Sequence, residues 1–128
     1  MTALTLLFLI KIFVTLIMVA APLLLLSKER LESAMAIEAK STSFFRLYGV
    51  AILALLFGYT GGAWQVSQNV FPIGVIIMGI VSNGGATLVL IKTGTASRSK
   101  FLTVFFGSIT ICLFLVLAFQ DAAMSKLF

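Results

Sequence analysis

The chain has 128 residues, of which 61% are hydrophobic and only 10% are charged, and its formal net charge is +5. Soluble domains average about 45–50% apolar and about 25% charged residues, and a chain of this length has too small a core to bury the excess. The composition therefore excludes an ordinary water-soluble globular domain and indicates a protein that lives in lipid.

Four apolar stretches are long enough to cross a bilayer. A spanning helix needs about 20 mainly apolar residues, because each contributes about 1.5 Å against a hydrocarbon layer of about 30 Å. No internal repeat or linker divides the chain, so residues 1–128 are predicted to form a single transmembrane domain. We expect an all-α, antiparallel, up-down bundle of four helices, at about residues 4–26, 47–64, 70–91 and 101–119.

The first stretch is predicted to be a retained span. It begins MTALTLLFL without the basic region of a signal peptide, and its apolar run is longer than the ~7–15 residues of a signal sequence. Pro22 lies inside this span and removes a backbone hydrogen bond, which predicts a bend near its end. Pro72, in contrast, falls where the third span should start, a position that tolerates proline.

The connecting loops differ in charge. Loops 27–46 and 92–100 hold seven basic residues, whereas the loop GGAWQVSQN between the second and third spans has none. Because cytoplasmic loops retain Lys and Arg, both basic loops are predicted to be cytoplasmic and both termini to lie outside. The basic residues in question are Lys28, Arg30, Lys40, Arg46, Lys92, Arg98 and Lys100.

The first loop, SKERLESAMAIEAKSTSFF, is rich in helix formers and is predicted to carry a helix. Leu31 and Met35 would give that helix an apolar face. Two interpretations remain open: an interfacial helix that anchors the bundle, or a docking surface for a partner or for anionic headgroups.

Lys11 is the ionisable residue that falls clearly within a predicted span. A charged lysine at the bilayer centre costs roughly 2.5–3.5 kcal/mol on insertion scales, so its presence requires a reason. One reason is a snorkelling side chain that fixes the depth of the helix. The other is a site facing the bundle interior that binds an anionic group, with Asp121 at the outer end of the fourth span as a possible member.

Counting inward from the outer face places several polar residues at similar depths. Tyr59 falls near the level of Lys11, and a second layer follows near the midplane. This layer is interpreted either as interhelical hydrogen bonding or as the lining of a small-molecule cavity around a loosened third helix. Its members are Thr15, Ser82, Asn83 and Ser108, with Gly84 and Gly85 adjacent.

Glycines on the second and third spans predict close helix packing. Gly58 and Gly62 form a G-x-x-x-G pair, and in depth they lie opposite Gly74 and Gly79. Small residues let two helices approach, so a tightly packed pair of the second and third helices is expected, with subunit dimerisation as the alternative.

Catalytic and cofactor motifs are absent from the sequence. It has no histidine, a single cysteine and no phosphate-binding or dinucleotide-binding glycine pattern, so no catalytic, metal or cofactor residue is assigned. Whether the protein is an enzyme stays open, with a non-enzymatic role preferred. The basic charge is assigned to the loops, and no nucleic-acid partner is expected.

The segments SFFRLYGVAILALLFGY and FPIGVIIMGIVSNGGATLVL, in a chain of this length, resemble small bacterial DoxX-like membrane proteins. The resemblance implies a four-helix unit in a bacterial cytoplasmic (inner) membrane, and no catalytic residue carries over from it. The first functional hypothesis is an accessory subunit of a larger membrane complex, or one that assembles with itself. The alternative is a subunit of an oligomeric small-molecule transporter or pore.

Overall fold

The computed structural model describes residues 1–35, 43–97 and 99–128. Lys40 and Arg98, two of the loop charges used above, lie outside the described residues. Within the described ranges, four helices are long and apolar enough to cross a membrane. The helices are α1 (Ala3–Thr15), a π-helical segment (Leu16–Ala20), α2 (Ala21–Leu25), α3 (Lys28–Met35), α4 (Ser43–Ser67), α5 (Ile73–Lys92), a 3₁₀ turn (Thr95–Ser97), α6 (Lys100–Ala118) and α7 (Gln120–Met124).

The first long helix, Ala3–Leu25, is continuous through α1, the π-helical segment and α2. Thr2 caps its start, since its side chain accepts a hydrogen bond from the backbone N–H of Thr5 at 3.1 Å. The π-helical segment ends at Ala20, two residues before Pro22, whose backbone nitrogen has no hydrogen to donate to the preceding turn. The disturbance expected at this proline is therefore taken up by a wider turn.

Helix packing pairs early parts of one helix with late parts of the next. Leu24 meets Gly49 near the start of α4, and Phe8 meets Gly62 near its end. Between α5 and α6, Gly84 faces Thr110 and Gly107 faces Thr87, so the later residue of α5 meets the earlier residue of α6. The most extensive contacts join α5 to α6 and the first long helix to α4, whereas α4 and α5 touch more sparsely.

Three of the four glycines chosen for packing of the second helix against the third meet side chains of the other helix, although α4 and α5 touch sparsely overall. A Cβ atom at Gly62 would lie 2.8 Å from Phe8, so this glycine admits the first helix as well as Val75 of α5. A Cβ at Gly58 would lie 3.1 Å from Met78 of α5. At Gly74 it would meet nothing within 4 Å, because this first-turn residue does not face another helix.

The two ends of the chain meet. The N-terminal ammonium of Met1 donates to the carbonyl of Phe128 at 2.9 Å, and Thr2 pairs with Lys126 in an isolated antiparallel bridge. At the opposite end of the first long helix, Arg46 donates to the carbonyls of Leu23 and Leu26 at 2.6 and 2.7 Å. The last carbonyls of a helix have no intrahelical N–H donor, so Arg46 supplies hydrogen bonds that these two carbonyls would otherwise lack.

The short helix α3 packs onto the bundle. Leu31 is fully buried and joins a core cluster with Leu23 and Phe45. Lys28 forms an ion pair with Glu32 at 3.7 Å on its outer side. The predicted helical loop therefore begins as a packed helix; its other proposed apolar contact, Met35, has a side chain that lies outside the described residues.

Candidate functional site

A cavity of about 490 Å³ lies between the first long helix, α4, α5 and α6. Most of its wall is aliphatic or aromatic. Its polar lining residues come from three of these helices and are Lys11, Thr15, Tyr48, Tyr59, Ser82 and Asn83.

Lys11 points into this cavity. Its side chain is 4% exposed, and its Nζ donates to Oδ1 of Asn83 at 2.6 Å. Asn83 lies on α5, so this bond joins two helices that are far apart in sequence. Among the described residues no carboxylate pairs with Lys11. The ammonium charge is therefore met by a neutral amide.

Asn83 is held in the orientation that suits an ammonium group. Its Nδ2 donates to the carbonyl of Gly79 at 2.7 Å and to the hydroxyl of Tyr59 at 3.0 Å. Both acceptors lie on the same side of the amide, which leaves Oδ1 to face Lys11. The reverse orientation would place an NH₂ group against the ammonium and a carbonyl oxygen against another carbonyl.

Gly79 makes room for this network. A Cβ atom here would lie 2.5 Å from the Tyr59 hydroxyl and 2.6 Å from Leu113. The bare backbone thus allows Tyr59 to approach α5 closely enough to accept from Asn83. Phe8 packs edge-on against the Tyr59 ring, with ring centroids 5.5 Å apart, and fixes the ring from the side of the first helix.

Two phenylalanines of α6 flank the Lys11 ammonium. Its Nζ lies 4.9 Å from the ring centroids of both Phe105 and Phe106. A cation near the face of an aromatic ring is attracted to it, by about 2 kcal/mol or more where water is excluded. The rings stabilise the positive charge without neutralising it.

Thr15 supplies an unsatisfied hydroxyl. The residue is 1% exposed, and its Oγ1 has no hydrogen-bond partner among the described residues. Thr15 follows Lys11 by four residues, so the two side chains lie on one face of the helix, one turn apart. An ammonium and a free hydroxyl thus border the same cavity.

The structure brings together most of the residues singled out in the sequence and separates two others. Lys11, Thr15, Tyr59, Ser82 and Asn83 share the cavity. Ser108 is exposed on the outer side of α6, where it borders a shallow groove with Val104 and Phe105, and it does not line the cavity. Asp121 is exposed in α7 and has no contact with Lys11. A Lys11–Asp121 pair is therefore not formed.

Some residues of the site carried no signal in the sequence. Nothing in the sequence distinguishes Phe105 and Phe106 from lipid-facing or packing side chains, yet they flank the cation. Tyr48 lies near the start of a predicted span, where tyrosine is common at the membrane interface, yet it lines the cavity. Aromatic residues are so common in membrane spans that only their facing toward Lys11 distinguishes them.

Comparison of the chain with protein-family models, with curated proteins and with solved structures finds no match. The resemblance to DoxX-like proteins accordingly stays a prediction.

Proposed function

We propose that this chain is an integral membrane protein without catalytic chemistry, whose four long helices span the bilayer antiparallel and whose central cavity binds an organic anion at Lys11. The binding unit serves either as an accessory subunit of a membrane complex or as part of a transporter. The observation that carries the proposal is the buried ammonium of Lys11, which has no carboxylate partner among the described residues and lies beside an unpaired hydroxyl.

The outer surface supports the membrane assignment. Large apolar side chains are exposed on every long helix, for example Phe13 at 60%, Phe57 at 78%, Val81 at 69% and Phe114 at 55%. In water such a surface would drive aggregation, whereas lipid solvates it. The paired chain ends and the crossed order of helix contacts support an antiparallel arrangement with both termini on one side.

The charge balance of the cavity supports an anion as ligand. An ammonium in a low-dielectric interior is costly unless it is paired, and the amide and rings around Lys11 are neutral. A carboxylate placed between Lys11 and Thr15 would supply the missing negative charge and two acceptor oxygens. The described acidic residues, Glu29, Glu32 and Asp121, lie outside the cavity lining.

The experiment uses the full chain in phosphatidylcholine nanodiscs and measures thermal unfolding with acetate, benzoate, dodecanoate, chloride and phosphate as probes. A bound anion raises the midpoint of unfolding by mass action. We expect at least one carboxylate to stabilise the wild type and to have no effect on Lys11→Met. The matched control, Lys92→Met, removes an exposed cation at the end of α5 and should respond like the wild type. Equal responses of Lys11→Met and wild type would refute the site.

A second candidate function is self-assembly, which is favoured by a groove on the outer face of α5 and α6. The groove has a volume of about 620 Å³ and is lined by small residues that include Gly84, Gly85 and Gly107. Small residues permit close approach of another helix. Single-molecule counting in nanodiscs tests it: Gly107→Leu should convert oligomers to monomers, and a monomeric wild type would remove this candidate.

A separate measurement decides whether the anion-binding unit is part of a transporter or an accessory subunit. Loading the protein into liposomes and following uptake of the anion that stabilises it distinguishes a transporter from a binding subunit. Flux that disappears in Lys11→Met supports the transporter. Binding without flux supports the accessory subunit.

A further inference from the structure

The polar lining residues of the cavity gather at the Lys11 end, and the rest of its length, as far as Tyr48, is apolar. On α5 the lining begins with Ser82 and Asn83 and continues with Ala86, Val89 and Leu90. On α4 it runs from Tyr59 through Leu56 and Ile52. The distance along α4 from Tyr59 to Tyr48 is about 16 Å at the rise of an α-helix. A ligand that fills this space must therefore have a polar head and a long apolar part.

The outer wall of the cavity is open between α4 and α5. Among its lining residues, those that are exposed belong to these two helices: Val89 is 60% exposed, Tyr48 is 40% exposed, and Gly85 is exposed. The lining residues from α6, Leu102 and Phe106, are buried. The sparse contact between α4 and α5 is the reason for the gap. If these helices span the bilayer, the gap faces hydrocarbon.

We propose that the ligand is a single-chain carboxylate amphiphile, which enters from the bilayer through the gap between α4 and α5. Its carboxylate contacts Lys11 and Thr15, and its chain lies against Ile52, Leu56 and Leu90. This inference rests on the proposed anion site and adds to it the ligand class and the route of entry. A lateral route is consistent with the chemistry, because an amphiphile already dissolved in the membrane need not cross water.

Gly85 offers a direct test of the route. A Cβ atom at Gly85 would meet nothing within 4 Å, so a side chain can start there without a clash. Gly85→Leu should narrow the gap. Gly74→Leu is the matched control, since Gly74 lies on the same helix, also has free space around it and does not line the cavity.

A second pair of variants is needed because Gly85 also borders the outer groove, so that Gly85→Leu alone does not separate the gap from the groove. Val89 lines the cavity but not that groove, and Val89→Trp should obstruct the gap. Val50→Trp is its control, because Val50 is similarly exposed at 59% on α4 and lines neither cavity nor groove.

The probe is dodecanoate with a photoreactive diazirine near the end of its chain, applied to the full chain in phosphatidylcholine nanodiscs. Adducts are mapped by peptide mass spectrometry, and those suppressed by excess dodecanoate count as specific. We expect specific adducts around Ile52 and Leu90, lost in Lys11→Met. Their rate of appearance after mixing should fall about tenfold in Gly85→Leu and Val89→Trp, which corresponds to ~1.4 kcal/mol in the barrier to entry, and should be unchanged in both controls.

The outcomes separate this inference from the anion site itself. Stabilisation by acetate or phosphate that needs Lys11, without specific dodecanoate adducts, overturns the amphiphile and leaves the anion site standing. Adducts that need Lys11 but appear at the wild-type rate in both obstructing variants overturn the lateral route. Competition by phosphatidylglycerol as strong as that by dodecanoate assigns the cavity to a lipid headgroup and overturns the single-chain ligand. Absence of any anion effect removes both proposals.

Discussion

Replacing Thr15 by valine should move stability and binding in opposite directions. The substitution exchanges a hydroxyl for a methyl group at a side chain that is 1% exposed and whose Oγ1 has no partner. A buried polar group without a hydrogen bond costs about 1–3 kcal/mol. Because unfolded segments in a membrane also find partners, polar contacts there are worth about 0.6 kcal/mol on average. We therefore expect Thr15→Val to raise the free energy of unfolding by about 1 kcal/mol.

The assay is SDS titration of the purified protein in mixed micelles, followed by far-UV circular dichroism without added anion. Thr110→Val is the control, because the Thr110 hydroxyl is already bonded to the carbonyl of Phe106 at 2.8 Å. Its loss should leave stability unchanged or lower it by up to about 1 kcal/mol.

Binding of the stabilising carboxylate supplies the second measurement. Thr15→Val should weaken it, since one of the two proposed donors is gone, whereas Thr110→Val should not. Two results together would contradict this prediction: Thr15→Val loses as much stability as Thr110→Val, and it binds the anion as well as the wild type does. The Thr15 hydroxyl would then have a structural partner and no role at the site.

Two further substitutions probe the surroundings of the site. Gly79→Ala should lower the free energy of unfolding by about 1–3 kcal/mol and weaken anion binding, because its methyl group would collide with the Tyr59 hydroxyl. Gly61→Ala places its methyl group in open space and should do neither. The SDS titration measures the stability of both variants. Arg46→Met should lower the free energy of unfolding by about 1.5–3 kcal/mol, because it removes two charged hydrogen bonds to backbone carbonyls, and anion binding should be retained. A thermal midpoint equal to that of Gly61→Ala would contradict this prediction.

The number and position of the long helices follow from simple physics. Each apolar run is close to the ~20 residues that a hydrocarbon layer of ~30 Å requires, and the charges other than Lys11 fall between or beyond the runs. The same reasoning located Pro22 inside a helix and Pro72 at a helix start, and the structure begins α5 at Ile73, directly after Pro72. The proline in the first helix produced a π-helical turn, which sequence alone does not distinguish from a kink.

The site was only partly predictable, because the depth of a residue in the membrane can be counted from the sequence, whereas the face of the helix on which it lies cannot. Counting residues from the membrane surface put Asn83 one layer deeper than Lys11, and the long lysine side chain reaches it. Ser108 was placed at a suitable depth by the same count, yet it faces outward from α6. These helices are apolar on nearly all sides, so no hydrophobic periodicity indicates which face of each helix points inward.

Lys11 can be explained as an anchor or as a ligand-binding residue, and the two explanations predict different effects of removing its charge. An anchoring lysine extends toward the headgroups, so its loss should impair insertion or shift helix depth. Here the ammonium instead reaches Asn83 on α5 and the rings of α6. Replacement of buried polar partners by apolar residues of similar size is often neutral or stabilising. The double variant Lys11→Met, Asn83→Leu should therefore insert normally and unfold at equal or higher SDS without ligand, while losing the anion response. Failure to insert, measured by glycosylation mapping of each span, would favour the anchor. The anchor would also be favoured if Lys11→Met and the double variant lost the same stability and the wild type showed no anion response.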